Sequence, residues 1–289
     1  MLKSRYLKIR KILRSCKGAP AFFGSILLIF VIVGIFGGSL APHDPNEANF
    51  ADALKPPFWQ EGGKAAYPLG TDQLGRDVLS RLLCGTSISL EVGFLVVVLA
   101  GFIGTVAALL SGYLGGWTDT LLMRFTDIML SMPYLMIAIV LAAVLGPSTN
   151  NIIIILTITG WAGYARVLRG EVLRIKEEEF VSLAVIGGCS KMRIMLRHVF
   201  PNMVNTLVVL ATLQLGVVLI SEAALSFLGV GVPPPNPAWG SMVAEGRSYI
   251  STAWWLCTWP GLAILLVVLS CNLFGDWLRV RLDPKFRQI

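Results

Sequence analysis

Residues 166–202 read RVLRGEVLRIKEEEFVSLAVIGGCSKMRIMLRHVFPN, a charged and glycine-containing segment between two long apolar runs. Negative charge at 177–179 precedes a short apolar stretch, as the N-terminus of a helix favours. Apolar residues then recur at the helical spacing i, i+3 and i+4, at Phe180, Leu183 and Ala184. The segment therefore predicts a small amphipathic helix between the two apolar runs.

A glycine pair follows this helix and divides the segment in two. Gly187 and Gly188 let the chain turn before a second, basic helix over 191–198, and Pro201 marks the approach to the next apolar run. Two roles remain open: a docking helix for a cytosolic protein, and a helix held on the membrane surface by its Lys and Arg residues. The docking role explains the acidic start and an exposed Phe180 better.

Composition places the chain in a bilayer. Apolar residues make up 55% of its 289 residues and charged residues only 14%, whereas soluble domains carry about 25% charged residues. An apolar run of about 20 residues is long enough to cross a bilayer. The sequence predicts an all-α polytopic membrane fold with about six spans, at 22–40, 88–110, 121–145, 152–167, 204–228 and 260–278.

The Lys and Arg residues predict an orientation. If the N-terminus lies inside, 19 of the 24 Lys and Arg residues fall in inner segments and 5 in outer segments. The positive-inside rule therefore predicts that both termini and the 166–202 segment face the cytosol. The net charge of +7 is explained by this topology and by contact with anionic lipid, which argues against a nucleic-acid partner.

Motifs for self-contained catalysis are missing from the sequence. It has no Gly-x-x-x-x-Gly-Lys-Ser/Thr phosphate loop with which to hold the phosphates of a nucleotide. Neither His43 nor His198 has a ligand-spaced neighbour, so a zinc or haem site has no support. We therefore predict no catalytic residue and no metal ligand, and any ATP hydrolysis would belong to another chain.

Ionisable residues inside membrane spans are costly and are functional candidates by default. Arg124 and Asp127 lie three residues apart, and we expect them to pair on one helical face. Glu222 lies deeper in its span, close to Ser226, and two roles are equally supported there: lining a translocation pathway and hydrogen bonding between helices.

A proline interrupts the third predicted span. Pro133 follows Met132 and is expected to kink the helix, which is more often a matter of packing than of gating. The candidate pathway residues are Glu222, Ser226 and Met132.

The 166–202 segment resembles the coupling motif of bacterial binding-protein-dependent ABC importer permeases, Glu-Ala-Ala-x-x-x-Gly-x9-Ile-x-Leu-Pro. Matches fall at Ala184, Gly188 and Pro201, and departures fall at Ser182, Leu183, His198 and Phe200. Because Ser182 replaces a carboxylate, the nearest source of negative charge is Glu179. The resemblance implies ATPase coupling by Glu179, Phe180, Ser182, Leu183, Ala184, Gly188, Arg193 and Pro201.

Three further segments resemble the dipeptide, oligopeptide and nickel group of these permeases. The first is YPLGTDQLGRDVLSRLL at 67–83. The second is EAALSFLGVG at 222–231, followed by PAWGSM at 237–242. The third is GDWLR at 275–279 with LDP at 282–284. Order and spacing extend the resemblance over nearly the whole chain.

This resemblance implies a type I importer permease fold in the bacterial cytoplasmic (inner) membrane. The implied partners are a homologous permease subunit in a heterodimer, two ATPase subunits or domains, and an extracytoplasmic substrate-binding protein. The chain itself would bind no cofactor, and ATP and Mg would be used by the ATPases. Di- or oligopeptides are the expected cargo; nickel or another metal chelate is the alternative within the group, and an autonomous channel or secondary carrier is the alternative from another class.

The expected organisation follows from the spans. A basic cytoplasmic N-terminus (1–21) precedes the first span (22–41) and an extracytoplasmic segment (42–84). The core permease domain (85–280) contains the coupling loop 166–202, and a cytoplasmic tail (281–289) ends the chain. Within the extracytoplasmic segment, 74–83 is expected to form a surface helix, with a simple connector as the alternative.

Overall fold

The computed structural model describes residues 19–282, which fold into a bundle of long helices. Five helices are long and apolar enough to cross a membrane, and a strongly bent helix pair makes a sixth crossing if it counts as one span. The predicted all-α membrane fold is therefore confirmed for these residues. Most of the predicted N-terminal segment 1–21 and most of the predicted tail 281–289 lie outside the described residues.

Ten α-helices occur in the described part of the chain. In order they are α1 (Ala19–Leu40), α2 (Val78–Leu109), α3 (Gly116–Ser131), α4 (Tyr134–Leu145), α5 (Thr149–Lys176), α6 (Glu179–Ile186), α7 (Lys191–Ile194), α8 (Phe200–Phe227), α9 (Trp239–Gly246) and α10 (Trp255–Leu282). A π-helical turn, Leu110–Leu114, extends α2, and a second, Met195–Val199, joins α7 to α8. We call the two ends of the bundle the α6 end and the α9 end, after the short helices found there.

The second span begins earlier than its apolar run suggests. The Asp77 carboxylate accepts a hydrogen bond from the Ser80 backbone N–H at 2.9 Å and so caps the helix, which starts at Val78. Val78 is 1% exposed, and the helix continues without a break into the membrane span. The predicted helix over 74–83 that leads into the second span is confirmed from Val78 onward, whereas its expected place on the surface is wrong, because Val78, Ser80 and Arg81 are buried in the first turn of α2.

The third predicted span is broken rather than kinked. Helices α3 and α4 meet at an angle of 88° around Met132 and Pro133. Met132 is extended, with φ −96° and ψ 143°, as the residue before a proline tends to be. The proline therefore ends α3, and Tyr134 starts a new helix in a different direction.

Helices α7 and α8 form one continuous path, so the predicted basic helix over 191–198 is present and continues into the next span instead of ending before it. Pro201 has no N–H to donate to the carbonyl four residues earlier, and its ring would crowd that carbonyl. The preceding π-helical turn widens the helix at this point, and the Phe200 N–H reaches back to the Met195 carbonyl. The wide turn allows the helix to pass through the proline.

Helices α2 and α5 pack closely along their length. A Cβ at Gly104 would lie only 2.4 Å from the Tyr164 Cβ and 2.8 Å from the Trp161 carbonyl oxygen, so only glycine permits this approach. Nearby Leu168 and Val172 are fully buried. By contrast, the span of α1 is apolar all round with 6% of its residues buried, as expected of a helix that faces lipid.

Candidate coupling segment and translocation pathway

Helix α6 is anchored to the bundle by one side of its surface. Val181 is 2% exposed and belongs to the buried cluster that includes Ile175, Ile194 and Val199. Ala184 is half-buried against the same cluster. The predicted amphipathic helix is confirmed, and its buried stripe runs through Val181 and Ala184.

The opposite side of α6 exposes large apolar side chains. Leu183 is 67% exposed, Val185 56% and Ile186 82%. Leu183 and Ile186 lie three residues apart and so share a face of the helix. Phe180 is 39% exposed, and its ring centroid lies 6.5 Å from that of His198. Exposed apolar side chains of this size on a short helix mark an interaction surface.

The polar candidates of the segment surround this apolar surface. Glu179, Ser182, Arg193 and Pro201 are all exposed. Glu178, the residue before the first turn of α6, accepts a hydrogen bond from Arg174 at 3.1 Å. The exposed acidic run therefore lies at the N-terminus of α6, where the helix dipole favours negative charge.

A left-handed glycine ends the turn after α6. Gly188 has a φ of +76°, which side-chain-bearing residues rarely adopt. The Cys189 N–H then donates to the Ala184 carbonyl oxygen at 3.0 Å, and the Ser190 hydroxyl accepts from the Arg193 N–H at 3.4 Å to cap α7. A Cβ at Gly188 would meet no atom within 4 Å, so the requirement for glycine is conformational rather than steric.

Polar contacts brace the start of the 166–202 segment against α2 and α3. The Lys176 ammonium donates to the Tyr113 carbonyl oxygen at 3.0 Å and lies 5.6 Å from the centre of the Tyr113 ring. Arg169 forms a bidentate pair with Asp119.

A second ion pair joins the same two helices, α3 and α5. Asp127 pairs with Arg166 of α5, so the prediction that it would pair with Arg124 is wrong. The helical spacing correctly placed Arg124 and Asp127 on neighbouring positions, but α5 offers Asp127 a cation from outside its own helix.

Glu222 lies at the centre of a buried polar cluster. Its side chain is almost fully enclosed, with the whole residue 1% exposed. It accepts hydrogen bonds from the Ser226 hydroxyl at 2.8 Å and the Ser89 hydroxyl at 3.5 Å. Ser89 in turn accepts from the Trp239 N–H at 3.5 Å, and Ser226 accepts from the Val232 N–H at 3.3 Å. The cluster joins α8 to α2 and α9, and its contacts are those of hydrogen bonding between helices.

Met132, the third candidate pathway residue, lies elsewhere. It occupies the break between α3 and α4 and is 54% exposed. The structure thus brings Glu222 and Ser226 together, and it leaves Met132 on the surface of this single chain.

Sequence reasoning missed a charge network at the α9 end. Arg76 and Arg81 have side chains that are 9% and 2% exposed. Arg76 pairs with Asp72 at 2.6 Å and with Glu245 at 2.9 Å, and Arg81 reaches the same two carboxylates at 3.5 and 3.3 Å. Gln73 also donates to Glu245, at 3.3 Å. The network ties the segment before α2 to α9, so this segment is more than a simple connector.

A cavity of about 130 Å³ opens between α2, α3, α4, α5 and α8. Most of its lining is apolar, and its polar members are Tyr134, Thr159, Tyr164 and Gln214. The Tyr164 hydroxyl is buried and has no hydrogen-bond partner among the described residues.

Helices long and apolar enough to cross a bilayer, with a cavity between them, are typical of a transport permease. The chain belongs to the family described as "Binding-protein-dependent transport system inner membrane component", whose pattern it matches over residues 102–288. The chain is therefore a multi-pass inner-membrane permease subunit of an ABC importer, not an enzyme, and the ATPase of such an importer is a separate subunit.

Two curated relatives match almost end to end. The dipeptide transport system permease protein DppC of Haemophilus influenzae is 41% identical over 262 residues, which cover 91% of this chain and 89% of that protein. The protein of the same name in Escherichia coli K12 is 45% identical over 270 residues, which cover 93% and 90%. The resemblance noted from the sequence is thus confirmed at the level of the family and of its dipeptide group.

A solved structure shares the fold. The inward-facing MetNI methionine ABC transporter matches with a TM-score of 0.55 at 18% identity, over 70% of this chain and 96% of the matched chain. The type I importer permease fold is therefore confirmed, and the matched portion leaves about a third of this chain outside the shared core.

Proposed function

We propose that this permease forms half of the translocation pathway of an ATP-driven importer of di- or oligopeptides. The observation that carries the proposal is the end-to-end similarity to permeases named for dipeptide transport. The partners would be a homologous permease in a heterodimer, two ATPase subunits or domains, and an extracytoplasmic binding protein. ATP and Mg would be used by the ATPases alone.

The α6 end would face the cytosol, together with both termini. The distribution of Lys and Arg supports this orientation, and α6 would then meet the ATPase. Its exposed Leu183, Val185 and Ile186 are suited to an apolar cleft. Three exposed glutamates at 177–179 would be repelled by an anionic lipid surface, which argues against the alternative of a membrane-surface helix.

A reconstituted transporter tests this coupling role. Ile186→Asp and Leu183→Asp place a charge in the proposed interface, and we expect each to lower peptide uptake and peptide-stimulated ATP hydrolysis at least tenfold while the chain still inserts in the membrane. Ser182→Glu is the matched control, because it adds a carboxylate to the same helix at the position where the resembling motif carries one. Normal uptake by both aspartate variants would contradict the docking role.

The cargo is tested separately. The tagged chain is purified from its native membrane in detergent with its associated proteins, which are identified by mass spectrometry. Recovery of a second permease, an ATPase and a binding protein that binds dipeptides supports the proposal. A binding protein that takes up a nickel chelate and no peptide contradicts the peptide cargo, and a solitary chain that conducts solute in liposomes contradicts the importer.

A further inference from the structure

The Asp127–Arg166 ion pair lies at one end of the cavity. Leu130 of α3 and Gly163 of α5 line the cavity. Asp127 precedes Leu130 by three residues and Arg166 follows Gly163 by three, so each charged residue lies one helical turn further along the same helix face. The chain direction of α3 runs away from the α6 end and that of α5 runs towards it. Asp127 and Arg166 are therefore both displaced from the cavity-lining residues towards the α6 end.

The exposure of this ion pair identifies what it faces. The side chains of Asp127 and Arg166 are 50% and 52% exposed, although both lie in helices of the membrane-spanning bundle. Charged side chains in such helices face the interior of the protein or a water-filled space rather than lipid. Arg124, one turn before Asp127 on α3, is also exposed.

We propose that Asp127 and Arg166 form a binding site for a zwitterion at the α6 end of the cavity. A peptide makes its last contact there before it leaves the permease. The inference rests on the proposed peptide cargo. A peptide at neutral pH carries one carboxylate and one ammonium group at its ends. The Arg166 guanidinium takes the carboxylate through two parallel hydrogen bonds, and the Asp127 carboxylate takes the ammonium group.

An exchange of partners explains why an ion pair suits this position. A zwitterion replaces one ion pair by two and leaves no charge without a partner, whereas a single charge would separate Asp127 from Arg166 and leave one of them unpaired. Thr159 and Gln214 are among the polar residues that line the same cavity, and such side chains can form hydrogen bonds with the peptide group between the charged ends.

The test measures uptake of radiolabelled alanyl-alanine per ATP hydrolysed, with the complete transporter in proteoliposomes. The double variant Asp127→Asn with Arg166→Gln removes both charges; Asn keeps the shape of the Asp side chain, and Gln keeps a polar, uncharged but shorter side chain in place of Arg. We expect peptide-stimulated ATP hydrolysis to stay within twofold of the original and the ratio of uptake to hydrolysis to fall about tenfold. The exchanged pair, Asp127→Arg with Arg166→Asp, is expected to recover at least half of the ratio.

The matched control removes the other ion pair between the same helices, through Asp119→Asn with Arg169→Gln. A purely structural brace predicts that uptake and hydrolysis fall by the same factor, so the ratio is expected to stay within twofold in this control. The same behaviour in the Asp127 and Arg166 double variant would overturn the proposal.

The experiment distinguishes an error in the proposed cargo from an error in the proposed zwitterion binding. If the unaltered transporter takes up no peptide, the proposed cargo is wrong; if it takes up peptide and the neutral variant keeps its ratio, only the zwitterion binding is wrong. Should the neutral variant fail to assemble, Arg166→Lys is measured in its place, since it keeps the charge and loses the two-pronged donor geometry. A ratio at least threefold lower supports the proposal, and an unchanged ratio overturns it.

Discussion

Arg169 of α5 holds Asp119 of α3 through two parallel hydrogen bonds, from Nε to Oδ1 and from Nη2 to Oδ2, each 2.6 Å long. Both side chains are largely covered, at 30% and 23% exposed. The two hydrogen bonds hold the start of α3 against α5, the helix that precedes α6.

The geometry of this pair predicts the effect of a conservative change. Arg169→Lys keeps the charge and loses one of the two parallel hydrogen bonds, and we expect a loss of roughly 1 kcal/mol of stability. Thermal unfolding of the detergent-solubilised protein measures it. Arg174→Lys is the control, because the Arg174 side chain is 58% exposed and pairs with Glu171 at the surface; equal losses in the two variants would contradict the prediction.

Glu222 predicts a difference between two substitutions. Glu222→Ala removes the acceptor of the Ser89 and Ser226 hydroxyls and opens a cavity, at a cost of roughly 2–4 kcal/mol. Glu222→Gln keeps the shape and an acceptor oxygen, and it is expected to cost about 1 kcal/mol or less. The melting temperatures of the two variants check this order. A Gln variant as unstable as the Ala variant would show that the negative charge itself is required.

Alanine substitutions at Gly188 and at Gly170 are expected to change the stability of the protein in opposite directions. Gly188→Ala forces a side chain into the left-handed region and is expected to destabilise the protein by about 1–2 kcal/mol. Gly170 lies inside α5, where a Cβ would meet no atom within 4 Å. Gly170→Ala is therefore expected to stabilise the helix by about 0.5–1 kcal/mol. Unfolding of both variants tests the pair, and two shifts of the same sign would contradict the argument.

The charge network at the α9 end predicts a large loss. Glu245→Ala leaves the buried guanidinium groups of Arg76 and Arg81 with Asp72 as their one remaining carboxylate among the described residues, and we expect a cost of roughly 3–5 kcal/mol. Lys64→Ala, which breaks the half-exposed pair with Asp52, is expected to cost about 1 kcal/mol or less. Limited proteolysis measures whether the segment before α2 has separated from α9. Equal rates of cleavage in the two variants would contradict the prediction.

Local patterns in the sequence were sufficient for much of the fold. Apolar run lengths located the spans, the spacing of Phe180, Leu183 and Ala184 located α6, and the glycine pair located its end. The start of α2, residues 78–87, was not predicted as part of the second span, because the apolar run begins well after the helix does. The Asp77 cap sets where the helix begins. An apolar run shows which residues can be buried in lipid, whereas a helix cap shows where the helix begins.

The interactions that escaped prediction join residues far apart in the chain. Glu245 meets Arg81 across 164 positions and Asp127 meets Arg166 across 39. No periodicity links such residues, because their contact depends on how whole helices pack. The sequence left the role of Glu222 open between lining a pathway and hydrogen bonding between helices for the same reason, since its partners lie on α2 as well as on α8. In each case the residue type was visible in the sequence and its partner was not.

Because α7 continues into α8, the last part of the 166–202 segment and the fifth predicted span form one continuous helix, which can act as a lever. From Lys191 to Phe227 the helical path has 37 residues, and at 1.5 Å per residue it is about 55 Å long. A tilt of about 10° at the α6 end would therefore sweep the far end of such a rod through roughly 10 Å. The π-helical turn beside Pro201 lies near one end of this lever, where a pivot gives the longest reach.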